Sequence, residues 1–208
     1  RGLDIVAAVF GTLNAGLTVA GNNDLSLNGI IDGAGSLTKN GLSDLTLSGN
    51  NTFTGALNIV SGSVTTLNTN ALGNTSGVNI SAGAGLNLGS DASLGALTGS
   101  GSVQLTGSNT LTVGSGNVTS TFDGDLSGSG GLVKVGTGTL NLTGISGITG
   151  NTAINGGTVD LSGSLGSAQL NVNTGGTLTG LAVVGFHELL GFINNFLFGP
   201  FVEGLLVI

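Results

Sequence analysis

Along most of this chain an apolar residue is followed by a small polar one and then by another apolar one. The unit recurs as Leu45-Thr46-Leu47, Leu57-Asn58-Ile59, Val78-Asn79-Ile80, Leu86-Asn87-Leu88, Val103-Gln104-Leu105, Leu111-Thr112-Val113, Leu140-Asn141-Leu142, Val159-Asp160-Leu161 and Leu170-Asn171-Val172. Alternation with period two puts both apolar side chains on one face of a strand and the polar one on the other. Each unit is too short to stand alone as a hairpin or sheet. Gly, Asn and Ser lie between the units and supply tight turns. The pattern runs from about Leu13 to Leu178. Before it, the apolar run from Asp4 to Phe10 is broken by Gly11.

The pattern also repeats at long range. Leu37, Lys39, Gly41, Leu45, Leu47 and Gly49 each have a counterpart 95 positions later, at Leu132, Lys134, Gly136, Leu140, Leu142 and Gly144. The match continues through Thr54 and Thr149, Gly55 and Gly150, Ile59 and Ile154, Gly62 and Gly157, and Val64 and Val159. Regular repetition of short strands predicts a stacked scaffold, with a sandwich or propeller as the other all-β architectures. Strand-to-strand steps of seven to nine residues and the small number of aromatics in the repeats favour a solenoid. Steps of 19, as in Leu140 to Val159 to Leu178 and Leu86 to Leu105, predict coils of roughly twenty residues with three short faces. The 95-residue repeat would then be five coils of 19, or four longer ones. Nine coils would make a rod about 40 Å long.

Composition narrows the function. Charged residues are 6% of the chain, whereas hydrophobic ones are 39% and mean hydropathy is +0.47, which is not the signature of disorder. Ten acids against three bases leave no basic patch for nucleic acid. The absence of cysteine removes disulfides and thiolate metal sites. Residue 1 is Arg, which reads as an internal or processed start.

The last 28 residues differ. They hold five of the eight Phe, the lone His and Pro, and both Glu, with Phe186, Leu189, Leu190, Ile193, Phe196 and Leu197 at helical spacing. Glu188 and Glu203 leave too short an apolar run for a membrane span. Residues 1–180 are therefore assigned to β-helix repeats, with copies near 29–64 and 124–159. Residues 181–208 form an apolar tail: a cap or interface helix, a membrane-active segment, or non-native sequence from a shifted reading frame.

The segment from Gly33 to Gly55, Gly-Ala-Gly-Ser-Leu-Thr-Lys-Asn-Gly-Leu-Ser-Asp-Leu-Thr-Leu-Ser-Gly-Asn-Asn-Thr-Phe-Thr-Gly, resembles the autotransporter-associated β-strand repeat. Residues 128–150 resemble it again, departing at Gly147 and Ile148. A degenerate third copy runs from Leu97 to Val113, and Asn70 to Leu88 resembles the phrase that often follows the repeat. The likeness covers about residues 29–180. It implies a right-handed parallel β-helix, the secreted passenger of a type V autotransporter, held at the bacterial outer membrane by a C-terminal translocator barrel that nothing here resembles. The residues that define the repeat are Lys39, Gly41, Leu45, Leu47, Gly49, Lys134, Gly136, Leu140, Leu142 and Gly144.

Candidate chemistry is sparse. Lys39 and Lys134 are expected as solvated residues beside turns, or as a basic stripe for an anionic glycan. Asp123 and Asp125, two apart on one strand face, could hold calcium or act as an acid/base pair, although a solvated turn is the simpler reading. Asp32, Asp44 and Asp91 are expected to bond locally in turns. His187 would have to be the base of any Ser-His-Asp triad, and it lies in the tail. Sequons at Asn50, Asn74, Asn79, Asn117 and Asn141 are expected by chance. No catalytic residue, cofactor or metal is expected. The leading expectation is a non-catalytic, cell-surface stalk or adhesin segment, extracellular, whose partners are host or neighbouring-cell surface molecules, glycans among them, or other copies of itself. The alternatives are a β-helical polysaccharide-degrading enzyme and a phage tail-fibre segment.

Overall fold

The computed structural model describes residues 5–7, 11–180 and 183–184. Within them there are strands, turns and no helix. Every strand pairing is parallel and joins one coil to the next, so the chain winds as a β-solenoid with three faces per coil. One face carries ten strands, from Ile5–Ala7 through Asp44–Leu47 to Val183–Val184. The next is broken into a pair, Gly11–Thr12 with Ile31–Asp32, and a five-stranded sheet from Ala92–Leu94 to Leu170–Val172. The last carries nine strands, from Leu17–Ala20 to Gly176–Thr179. Nine strands make eight turns from first to last, about 38 Å at the spacing of paired strands.

The alternation works as the sequence suggests. Leu37, Leu57, Val78 and Leu97 follow one another in register and are buried to 1% exposure or less. Leu45, Val64, Leu86 and Val103 do the same on the ten-stranded face. Phe53 and Phe122 fill the core where the outline bends. Burying such columns is the main force that holds one coil on the next.

Two spacings differ from expectation. Leu86 stands in register with Val103 rather than Leu105, whose partner is Leu88, so the step there is 17 residues. Steps along the nine-stranded face range from 19 to 23, the longest joining Gly99 to Phe122. The coil is elastic because extra residues are absorbed at corners while the strand register is held.

The 95-residue repeat is neither five coils nor four. Leu37 lies on the nine-stranded face, but its counterpart Leu132 lies on the broken face. Leu45 lies on the ten-stranded face and its counterpart Leu140 on the nine-stranded one. The second copy is thus rotated by one face, and the interval equals four coils and two of the three faces of a fifth. Among the described residues the last strand of the ten-stranded face is Val183–Val184, paired with Ser164–Leu165. The helical spacing from Phe186 onward and His187 lie outside the described residues.

Candidate functional site

The outward positions and the corners carry what chemistry the described residues possess. Lys39 and Lys134 overturn the solvated expectation: each is 1% exposed. The alternation already turns them inward, since Leu37-Thr38-Lys39 and Leu132-Val133-Lys134 place Lys where an aliphatic residue would go. Lys39 Nζ donates to the Gly41 carbonyl at 2.6 Å and to the Ser61 carbonyl of the next coil at 3.3 Å. Lys134 Nζ donates to Val135 at 2.6 Å and to Gly136 and Gly156 at 3.3 Å. Each ammonium ties a corner to the corner above it and satisfies carbonyls that no strand partner reaches. Burial pushes both amines below their ordinary value; at Lys39 the nearby Asp44 and Asp24 oppose that shift. Gly62 and Gly157, counterparts in the two copies, leave room for the amine. A Cβ there would come within 2.8 and 2.9 Å of the respective Nζ, and both residues have positive φ. Neither lysine can serve as a basic stripe for an anionic glycan.

The repeat glycines share one steric reason. A Cβ at Gly41, Gly49, Gly136 or Gly144 would lie 2.1 Å from the carbonyl oxygen of a glycine one coil below, respectively Gly21, Gly29, Gly114 and Gly124. Leu45, Leu47, Leu140 and Leu142 fill the interior at 3% exposure or less.

The departures in the second copy follow from its rotation. Asn51 lies where the broken face has no strand. Its Oδ1 accepts from the Ile31 backbone at 2.9 Å and its Nδ2 donates to the Ala71 carbonyl at 2.6 Å, so the side chain stands in for a missing ladder across three coils. Its counterpart, Ser146, lies in the strand Ile145–Ile148, where backbone pairing makes such a bridge redundant, and its hydroxyl has no partner.

Most of the acids connect coils rather than bonding only locally as expected; Asp44 does both, its Oδ2 accepting from the Thr46 hydroxyl at 3.2 Å. Asp24 Oδ1 accepts from the Asp44 backbone, Asp91 Oδ1 from Thr110, and Asp125 Oδ1 from Ile145. Asp44 Oδ1 accepts from Ser63 and Thr65, and Asp123 from the Thr143 hydroxyl. Asp32 Oδ1 is buried without a partner. Asp123 and Asp125 do not share a strand face as expected: Asp123 lies in the corner after Ser120–Phe122, and Asp125 opens the strand Asp125–Gly128 on the ten-stranded face. Among the described residues no three His, Cys, Asp or Glu side chains come together as a metal site.

On the nine-stranded face the outward central position is polar in every coil. Thr18, Thr38, Asn58, Asn79, Thr98, Thr121, Asn141, Asp160 and Thr179 stand in one unbroken column. Some are linked along it: Thr98 Oγ1 donates to Asn79 Oδ1 at 3.3 Å, Asn141 Nδ2 to Thr121 Oγ1 at 2.9 Å, and Thr179 Oγ1 to Asp160 Oδ1 at 3.0 Å. Beside it, Thr119, Thr139, Thr158 and Thr177 form a second hydroxyl column in the last coils. With both lysines internal, every described charged side chain outside the core is an aspartate.

Comparison with known families agrees with this geometry. The passenger-associated-transport-repeat matches residues 37–66 and again 132–161, the same two copies that lie 95 apart. No curated protein and no solved structure matches the chain. Two passenger-associated-transport-repeats, each with a lysine-tied corner, are thus wound into the parallel β-solenoid of this chain.

Proposed function

We propose that this chain is a non-catalytic stalk or adhesin segment that mediates cell adhesion or self-association. The repeat family implies a cell-surface or extracellular location. We infer attachment to an outer membrane through a translocator belonging to the same protein. The observation that carries the reading is the exterior: columns of short Thr, Asn and Ser side chains repeat coil after coil, and the two described lysines are withdrawn into the core. Such a surface offers many weak, identical contacts, which gain strength by multivalency along a rod. A lyase or hydrolase acting on polysaccharides would need acids and bases converging on one face. Here the acids are spread over corners and tied to the next coil.

Cells displaying the chain are expected to settle or to bind a neighbouring surface, and to lose this when the chain is released by protease. Equal settling with and without the chain, together with no binding by the purified protein at high concentration, would refute the reading. Turnover of any acidic or neutral glycan in a screen would refute its non-catalytic part.

A further inference from the structure

The sequence holds three Asn-Gly pairs: Asn28-Gly29, Asn40-Gly41 and Asn155-Gly156. Each asparagine is exposed and sits at, or just past, the end of a strand. An asparagine before glycine can lose its side-chain amide, because the glycine nitrogen closes on the side-chain carbonyl carbon and no Cβ crowds the ring. We propose that Asn40-Gly41 and Asn155-Gly156, the two pairs at the lysine-tied corners, are self-modifying sites. Each converts its asparagine to aspartate or isoaspartate in the folded chain, whereas Asn28-Gly29, to which neither described lysine donates, converts slowly.

At the first corner the groups that the reaction needs are already in contact. Gly41 N–H donates to the Ser61 Oγ of the next coil at 2.8 Å, and the Ser61 hydroxyl donates on to Asn40 Oδ1 at 3.4 Å. One hydroxyl therefore faces the proton that the attacking nitrogen must lose and polarises the carbonyl that it attacks. Lys39 Nζ holds both sides of this arrangement, through Gly41 O and Ser61 O. Its fixed positive charge favours the negative charge that develops on the Gly41 nitrogen and then on Asn40 Oδ1. The second corner reaches the same end with other residues. Lys134 Nζ donates to Gly156 O at 3.3 Å, and Asn155 Oδ1 accepts from Asn173 Nδ2 at 2.7 Å. The counterpart of Asn40 is Val135 and that of Asn155 is Val60, so each lysine has one Asn-Gly pair, in its own coil or in the coil above.

The only other reactant is water. Gly41 N gives up its proton to the Ser61 hydroxyl as the N–Cγ bond forms. The Cγ–Nδ2 bond breaks, Nδ2 takes a proton back through that hydroxyl, and ammonia leaves behind a succinimide ring. Water then opens the ring. Cleavage between Gly41 N and Cγ gives aspartate; cleavage between Gly41 N and the Asn40 carbonyl carbon gives isoaspartate, whose main chain is one carbon longer. The longer chain fits worst at the first corner, where a Cβ on Gly41 would already lie 2.1 Å from Gly21 O. At the second, a Cβ on Gly156 would lie 3.2 Å from Gly136 O. Ageing therefore loosens the rod first at Lys39.

The test holds the full chain at neutral pH and physiological temperature, folded in buffer or unfolded in guanidinium chloride. Peptide mapping by mass spectrometry reads amide loss at each asparagine, and enzymatic methylation of isoaspartate separates the two products. In the folded chain Asn40 and Asn155 are expected to convert about tenfold or more faster than Asn28; unfolded, the three converge. Ser61→Ala should slow Asn40 about tenfold and leave Asn155 unchanged, while Ser61→Thr keeps the hydroxyl and the rate. Lys134→Met should slow Asn155 alone, and Lys134→Arg should preserve it. Circular dichroism verifies the strands of each variant; where they are lost, the wild-type rates decide. Folded Asn40 and Asn155 converting no faster than Asn28 would overturn the proposal. A fast Asn40 beside a slow Asn155 would overturn the second site only. Wild-type or faster conversion of Asn40 in a folded Ser61→Ala chain would overturn the part given to the hydroxyl.

Discussion

Replacing Gly144 by Ala tests whether coil spacing or backbone freedom explains the repeat glycines. Gly144 does not have a positive φ, so alanine meets no conformational penalty there. Its Cβ would nevertheless sit 2.1 Å from Gly124 O and 2.8 Å from Asp123 O. Relief requires the two coils to part by about 1 Å at a corner, where ladder spacing is close to 4.8 Å. The corner is closed by Thr143 N–H donating to Phe122 O at 3.1 Å and Ile145 N–H donating to Asp125 Oδ1 at 3.3 Å. Opening by that amount takes both beyond hydrogen-bonding range. Two lost bonds at about 1 kcal/mol each, plus overpacking of about 1–2 kcal/mol, give a loss of about 3–4 kcal/mol. With a urea m-value of about 2–3 kcal/mol/M, the midpoint should fall by roughly 1–2 M. The chain has no Trp or Tyr, so unfolding is followed by far-ultraviolet circular dichroism. The control is Gly147→Ala, whose Cβ would meet only Leu126 O, at 3.9 Å; it should shift stability by about 0.5 kcal/mol or less. If both variants unfold at the wild-type midpoint, the steric account of these glycines is wrong.

Asn51→Ala removes the two buried bonds that bridge the gap in the broken face and should cost about 2–4 kcal/mol, whereas Ser146→Ala, at the matching position with no partner, should be neutral or mildly stabilising; urea midpoints check both. Thr152→Val should stabilise by about 1 kcal/mol, because its buried hydroxyl has no partner and the valine retains the shape; a loss of stability would reveal a bond to that hydroxyl. Stability should rise as pH is raised through the lowered pKa of Lys39 and Lys134 toward 10.5. In that window the unfolded chain binds the extra protons, so removing protons from solution favours unfolding less. Tyr and Cys, the other side chains that would titrate there, are absent. Urea midpoints from pH 8 to 10.5 read the slope, and a flat or falling profile would contradict burial of the amines.

Much of the architecture is written locally. Short strands, three faces, coils near twenty residues and the in-register column of Leu140, Val159 and Leu178 all follow from period-two alternation and turn residues, because burial of an aliphatic stripe leaves few alternatives. The inward place of Lys39 and Lys134 was legible in the same alternation. Their charge argued for solvent, and only the neighbouring coil, with its carbonyls at Ser61 and Gly156, reveals why an ammonium can sit inside.

By itself the sequence determined which residues face inward, that the chain repeats after 95 positions, and that it carries passenger repeats. Only the tertiary structure decided that the second copy is turned by one face, that Asn51 replaces a missing strand while Ser146 need not, and that most of the acids bond to a neighbouring coil. The physical reason is that alternation constrains each strand against its own core, whereas face and partner depend on how many residues each corner absorbs. That quantity is settled only when one coil lies on another.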